Sequence, residues 1–513
     1  MEKAGNTHPK KPRLHPVMFA GTGSDVGKSV IAAAFCRIFR QDGYQPAPFK
    51  AQNMALNSYA TPEGFEIGRA QAVQAEAAGV PCHTDMNPLL LKPVSDQTSQ
   101  VILNGKPIGN RDAYDFWRCR DKGSNAKYHF REEVTAAFHR LAARYNPIVM
   151  EGAGSISEIN LKDTDLVNMP MARHADADVI LVGDIDRGGI FASVYGNIAL
   201  QDDEDRKRIK GIIINKFRGD IRLFDEGRQM LEDICGVPVL GVIPYYRDIH
   251  IEEEDNLGLA QKSMMAEIGK VNVAVVLLRH LSNFTDFDAL EQDSRVHLLY
   301  TNSAEDILKA DIIILPGSKS TLHDLYELRR SGMAQAIVRA YREGRTILGI
   351  CGGYQMMGVE VCDPEHKEGS IERLPGLSLL PTSTVISGEK VTRQVKFACP
   401  MLSARQGGMK GYEIHMGETR PLGDAKPSPL ALLDDGREDG YLANNKCMGT
   451  YIHGILDNSE FVDYLLQPFA DKIKERRDTF DYQAFKETQY DKLADHVRRH
   501  VDMQRIYQIL TDE

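Results

Sequence analysis

The chain has 513 residues, 42% of them apolar and 26% charged, a globular balance that leaves room for about three domains at ~150 residues each. With 62 Lys and Arg against 72 Asp and Glu the net charge is −10, which argues against bulk attraction to nucleic acid or an anionic membrane, so an anionic substrate has to be gathered by local clusters. No apolar run approaches the ~20 residues that span a bilayer. The eight cysteines contain no CxxC pair, which argues against a zinc ribbon or a disulfide scaffold and suits a reducing, cytoplasmic setting.

In chain order, residues 1–15 are basic, Pro-containing and without a signal-peptide core, and read as a disordered tail. Residues 16–250 repeat a strand–turn–helix pattern. Strand-length apolar runs recur at Val17–Ala20, Ile148–Met150, Val179–Val182, Gly211–Ile214 and Val239–Ile243. Each leads through Gly, Asp or Asn into helix-length amphipathic sequence. Continuous β-branched runs are the pattern of buried parallel strands, which predicts an α/β fold with helices on both sheet faces. From His250 the chain turns acidic (IHIEEED), and 251–270 reads as a linker. A second α/β series begins at Val271–Leu278 and continues through Ile312–Leu315 and Thr346–Ile350, giving a second domain over 271–465. The remainder, 466–513, reads as a helical extension. Apolar stripes from about residue 460 onward (Phe461, Leu465, Phe469 and Ile473, then Leu493, Val497 and Val501) are expected to dock on the body or on a partner subunit, which leaves a homo-oligomer open.

The first strand runs into Gly21-Thr-Gly-Ser-Asp-Val-Gly-Lys-Ser29 and then into helical sequence. Small residues at a strand-to-helix junction let backbone N–H groups cradle phosphates at a helix N-terminus. Gly23, Asp25 and Gly27 belong to this loop, Lys28 would reach the terminal phosphates and the Ser29 hydroxyl would hold Mg²⁺. The usual G-x4-G-K-[ST] spacing would put glycine at 22. Thr22 stands there, flanked by Gly21 and Gly23, which resembles the loop of dethiobiotin synthetase-like enzymes. Lys50 ends the next strand-like stretch, where a cation can stabilise a transferred phosphoryl group, although a solvated lysine is the plain alternative. Glu151 ends another strand beside the loop, as a second Mg²⁺ ligand or as a turn cap. Asn215 ends a third and is a candidate reader of the nucleotide base.

In the second series, strand Thr346–Ile350 leads into Gly349-Ile-Cys351-Gly-Gly353, the cysteine counterpart of the G-x-S-x-G elbow. A helix N-terminus favours thiolate. The oxyanion donors would be the N–H of Gly352 and one from the glycine loop at Gly317. His453, at the end of a short apolar strand before Gly454, is the favoured base, and His415 is its rival.

Beyond these two sites lie long blocks: PFKAQNMALNS, EIGRAQ, MNPLLLKP, EGAGSISEINL, DIDRGGIFAS, INKFRGD, LPGSKST, GICGGYQMMG, GYEIHMG and GTYIHGILD. In this order, from about residue 15 to 465, they make the chain resemble the cobyric acid synthase family. The resemblance implies a P-loop, dethiobiotin synthetase-like amide ligase domain fused to a class I-type glutamine amidotransferase domain. It implies ATP and Mg²⁺ as cofactors, glutamine as nitrogen donor, and amidation of the b, d, e and g carboxylates of adenosylcobyrinic acid a,c-diamide through an acyl phosphate. In it Cys351 is the glutaminase nucleophile and His453 its base. Ordinary class I glutaminases carry His-x-Glu. Ile455 stands at that place, so the third triad member is open, with Asp457 or Glu413 as candidates. Gln52, Asn53, Asn57, Arg69, Asp184, Asp186 and Arg187 are further candidates for corrinoid contact at strand ends. Two alternatives remain: the sister enzyme that amidates the a and c carboxylates, and a partition-type or regulatory ATPase with a non-catalytic glutaminase-like domain.

Overall fold

The computed structural model describes residues 11–94, 97–112, 129–252, 267–402, 408–423, 426, 428–473 and 480–511. Six strands form the first sheet, all parallel, in the order Val239–Pro244, Ile209–Phe217, Asp178–Asp184, Val17–Gly21, Ile148–Glu151 and Ala47–Phe49. Alternation along these strands divides the apolar residues between two layers. Phe19, Val149, Ile180 and Ile213 pack with the helix Lys28–Gln41 on one face, and Met18, Met150, Leu181 and Ile212 join the core on the other. From Val17–Gly21 the chain crosses to the edge strand Ala47–Phe49, returns to Ile148–Glu151, and then passes to the other side at Asp178–Asp184, so the crevice beyond the carboxyl end of Val17–Gly21 is the topological switch point, where α/β sheets bind ligands.

Between Ala47–Phe49 and Ile148–Glu151 the chain inserts structure that the apolar pattern did not signal. Gln52–Met54, Leu89–Pro93, Thr98–Leu103 and Lys106–Asp112 form a four-stranded sheet, and Ser58–Ala60 pairs with Glu66–Gly68 as a hairpin. Several of these strands have only three residues and are rich in polar side chains, which hides them from a search for apolar runs.

The second domain carries a six-stranded sheet in the order Val296–Thr301, Val271–Val276, Ile312–Leu315, Thr346–Ile350, Cys447–Thr450 and Tyr441–Asn444, parallel except for the last strand. A five-stranded sheet at its side pairs Tyr412 with His453 across antiparallel strands. Phe461 and Leu465 close this domain's core.

The C-terminal helices Tyr482–His500 and Met503–Thr511 return to the first domain. Tyr490, Leu493, Ala494 and Val497 recur at helical spacing and share a core with the helix Lys28–Gln41. Arg37 seals that contact through Asp491 and Glu487, at 2.7 and 2.8 Å. The part of the expected tail that the structure describes is docked: Leu14 is buried and the His15 N–H donates to Leu510 O at 2.9 Å. Most of the expected linker, 253–266, lies outside the described residues.

The two α/β units meet through the hairpin. The Ser58 N–H donates to Asn283 Oδ1 at 3.1 Å and the Phe284 N–H to Asn57 Oδ1 at 3.2 Å, while Tyr59 packs edge-on against Tyr412 with ring centres 4.6 Å apart.

Candidate active site

At the switch point the Lys28 ammonium folds back over the loop and donates to the carbonyls of Gly23 at 2.8 Å and Gly154 at 3.1 Å. A Cβ on Gly21 would lie 2.7 Å from Lys28 Nζ, so glycine at 21 makes room for that ammonium. Gly27, with φ +98°, caps the helix that begins at Lys28. The Ser29 hydroxyl donates to Glu151 Oε1 at 2.7 Å, the Lys50 ammonium donates to the same oxygen at 2.8 Å, and Gln74 Nε2 donates to Oε2 at 2.7 Å. Burial pushes the Glu151 carboxyl up, but the Lys50 ammonium and these hydrogen bonds outweigh it and hold the group below the ordinary glutamate range. An ionised carboxylate beside a serine hydroxyl is an all-oxygen donor pair, which fits a hard divalent cation such as Mg²⁺. Gln74 was missed by the sequence reading. It stands on the helix Arg69–Ala78, one turn beyond the EIGRAQ block that ends at Gln71.

These groups floor a cavity of about 980 Å³. Asp25, Gln52, Asn53, Arg187 and Asn215 line it as expected. Asn215 also braces the loop from beneath, donating from Nδ2 to Val26 O at 2.9 Å. Lys216 and Tyr245, which the sequence reading passed over, line the same wall, and Lys216 donates to Asp184 at 3.0 Å. The far wall comes from the second domain (Phe284 and Asp288) and from the C-terminal helix (Tyr482, Phe485 and Lys486).

Four of the expected corrinoid contacts are engaged elsewhere, among them Asp184, which lies outside the cavity lining and is held by Lys216. Asn57 is buried at the domain junction, where its carbonyl accepts the Phe284 N–H. Asp186 lies outside the cavity lining and pairs with Arg218 at 2.6 Å. Arg69 is buried against Glu252 and over the ring of Tyr59. In each case a nearer partner of matching polarity claims the side chain.

The second site lies at the end of strand Thr346–Ile350. Cys351 has φ 52° and ψ −111°, the strained turn that a nucleophile elbow requires, and it opens the helix Gly352–Met357. Gly352 lies against the Gly317–Ser318 turn, close enough that a Cβ would come within 2.8 Å of Ser318 N. Ser318 is itself held by Asp324 at 2.6 Å, and Asp324 also accepts from the His280 ring at 2.8 Å.

His453 is buried, and its Nδ1 meets Asp286 Oδ2 at 2.7 Å; the other Asp286 oxygen accepts the Gly454 N–H at 3.0 Å. Burial alone would lower the imidazole, but the Asp286 carboxylate reverses this and, with the Cys351 sulfur alongside, pushes it up to about 10. The third partner of the imidazole is therefore Asp286. Glu413 is claimed by Arg393, and burial pushes the Asp457 carboxyl up to about 7. Asp286 precedes the cysteine in the chain, just past strand Val271–Val276, whereas the two candidates read from the sequence, Asp457 and Glu413, both follow it. Its signal was position: a carboxylate near the carboxyl edge of the same sheet. His415 stacks on Tyr451 with ring centres 3.8 Å apart, and burial pulls it down to about 3, so it is neutral.

Residues 17–259 match the CobQ/CobB/MinD/ParA nucleotide binding domain and residues 272–461 the CobB/CobQ-like glutamine amidotransferase domain. A cobyric acid synthase of Bacteroides fragilis is 72% identical over 499 residues, covering 97% of this chain and 99% of that protein. One from Phocaeicola vulgatus is 69% identical over 501 residues, covering 98% and 99%. One from Syntrophobacter fumaroxidans is 49% identical over 519 residues, covering 97% and 99%. With a nucleotide-binding domain and a glutamine amidotransferase domain matched end to end, the chain is a glutamine-dependent amido-ligase and belongs to the cobyric acid synthase family.

Proposed function

We propose that the enzyme converts the b, d, e and g carboxylates of adenosylcobyrinic acid a,c-diamide into carboxamides, with one ATP and one glutamine for each. The observation that carries this reading is the ionised Glu151, held by Ser29 and Lys50 on the floor of a cavity of about 980 Å³ walled by both domains and the C-terminal helix. That cavity provides a phosphoryl-transfer centre beside space for a large polyanionic substrate.

A carboxylate does not react with ammonia at neutral pH, because oxide is a poor leaving group. Attack of a carboxylate oxygen on the γ-phosphorus of ATP, with ADP leaving, gives an acyl phosphate whose phosphate is then displaced by ammonia. Lys28 and Lys50 stand where charge builds on the transferred group, and Gly23, Asp25 and Gly27 shape the loop around the phosphates. Ser29 and Glu151 would hold Mg²⁺, which supplies charge neutralisation at the phosphates. Asn215 keeps the loop in place, and Gln52, Asn53 and Arg187 offer polar groups to the substrate.

Ammonia is largely protonated at neutral pH, so making it inside the protein delivers it as a nucleophile. The Cys351 thiolate attacks the glutamine amide carbon, and the N–H groups of Gly352 and Gly317 are the donors for the oxyanion. His453, held protonated by Asp286, gives its proton to the departing ammonia, and water then hydrolyses the thioester to glutamate. The test is to incubate the enzyme with ATP, Mg²⁺, glutamine and the a,c-diamide and to follow corrinoid mass. Four successive acid-to-amide shifts support the reading, and no shift overturns it. Amidation of cobyrinic acid at a and c alone would assign the sister reaction instead.

A further inference from the structure

An enzyme that makes carboxamides must not hydrolyse them at its own thiolate, so the cysteine pocket has to read something that glutamine carries and the product lacks. Glutamine carries an α-ammonium and an α-carboxylate at the far end of the same short side chain. A second cavity of about 40 Å³ adjoins Cys351, and its wall includes Lys319, Lys390, Lys92 and Glu368. Lys92 and Lys390 both pair with Glu66 of the hairpin. Lys319 and Glu368 are different. Lys319 donates to the neutral Gln100 at 2.9 Å, and Glu368 accepts the Thr321 N–H at 2.8 Å. Neither forms an ion pair among the described residues. Burial, together with the nearby Lys92 ammonium, pulls Lys319 below the ordinary lysine range, and burial pushes Glu368 above the ordinary glutamate range; each offsets the other's shift only in part, as expected of opposite charges kept from water and not in ion-pair contact.

Resting on the reading of Cys351 as the glutaminase nucleophile, we infer that Lys319 binds the α-carboxylate and Glu368 the α-ammonium of glutamine, making this cavity the reader of a free amino-acid end. Lys319 follows the Gly317–Ser318 turn, and Glu368 sits on a loop pinned by Asp363, whose carboxylate accepts the N–H groups of Lys367 and Glu368, each at 2.8 Å. The two charges therefore flank the elbow on separate supports, and a zwitterion completes both. A corrin acetamide or propionamide offers neither charge. The cavity has room for only a few waters, so glutamine binding requires it to widen. Lys92 of the first domain lines this cavity, and Gln100 and Glu66 of the same domain hold its lysines, so the first domain forms part of the pocket.

Substrate analogues separate the two contacts. Glutaramate lacks the α-ammonium, and glutamine α-methyl ester lacks the α-carboxylate charge. In the full-length enzyme, Glu368→Gln is expected to cut the kcat/KM preference for glutamine over glutaramate by about tenfold or more, mainly through KM. Lys319→Met is expected to do the same to the preference for glutamine over the methyl ester. Each ratio is taken on one preparation, so a misfolded fraction cancels. Should Glu368→Gln hydrolyse neither donor, Glu368→Asp is read in the same way. Both preferences unchanged within about twofold would overturn the assignment. Glutamine hydrolysis that survives Cys351→Ala would instead overturn the glutaminase reading on which it rests.

Discussion

Asp286 grips His453 with one carboxylate oxygen and the Gly454 N–H with the other, which fixes the tilt of the ring and favours its charged form. Asp286→Asn keeps the shape and loses the charge. Glutamine hydrolysis is expected to fall by about 10²–10⁴-fold in kcat, while amidation supported by added ammonium persists. The same pair sets a pH signature. The imidazole is raised from 6.5 to about 10 in the folded protein, so the pair's contribution to stability is complete below the unfolded value and is lost as pH rises through the folded one. The Tm difference between the wild type and Asp286→Asn is therefore expected to be larger at pH 6 than above pH 10. In the other domain, Lys50 compensates a buried carboxylate, and Lys50→Met is expected to abolish ATP-dependent amidation while leaving glutamine hydrolysis measurable. Cys351, His453 and Glu151 were legible because each stands at a strand end next to glycine, and Lys28 because it follows the glycine loop that leads from the first strand into its helix. Asp286 was not, because its role depends on a neighbour far away in the chain.

The cysteine elbow shows how closely two elements can be forced together. A Cβ on Gly353 would lie 1.9 Å from the carbonyl oxygen of Leu315, which is backbone and cannot swing away. Gly353→Ala is therefore expected to cost about 3 kcal/mol or more, seen as a lower Tm together with loss of glutaminase activity. Gly196, in the helix Ile190–Ala199, has nothing within 4 Å of the corresponding point and no positive φ. There alanine is expected to stabilise by about 0.5–1 kcal/mol, read as a small rise in Tm. The parallel strands were legible because each buries a continuous apolar run between helices. The inserted strands from Gln52 to Asp112 were not, because their short polar stretches acquire strand geometry from pairing with one another.

Across the whole molecule, the hairpin ties the two chemistries together. Glu66 is buried between Lys92 and Lys390, one from each domain, and despite the upward push of burial both hold its carboxyl far below the ordinary range. Glu66→Gln leaves two buried ammonium groups without their counter-ion and is expected to cost about 3–5 kcal/mol. Because the folded value is depressed, that contribution is present above the ordinary glutamate range and is lost as pH falls below it, so the variant's Tm deficit is expected to shrink in acid. The helix Tyr482–His500 closes the nucleotide cavity; removing residues 480–513 is expected to weaken ATP-dependent amidation and to spare glutamine hydrolysis. By itself the sequence determined the two α/β units, the phosphate loop and the cysteine elbow, because each is a local pattern whose geometry follows from a few consecutive residues. Only the tertiary structure decided that Asp286 serves His453, that Asn57 and Arg69 brace the interior, and that the first domain lines the cysteine pocket. Those assignments depend on which buried charge finds which partner across hundreds of residues, and no local pattern carries that information.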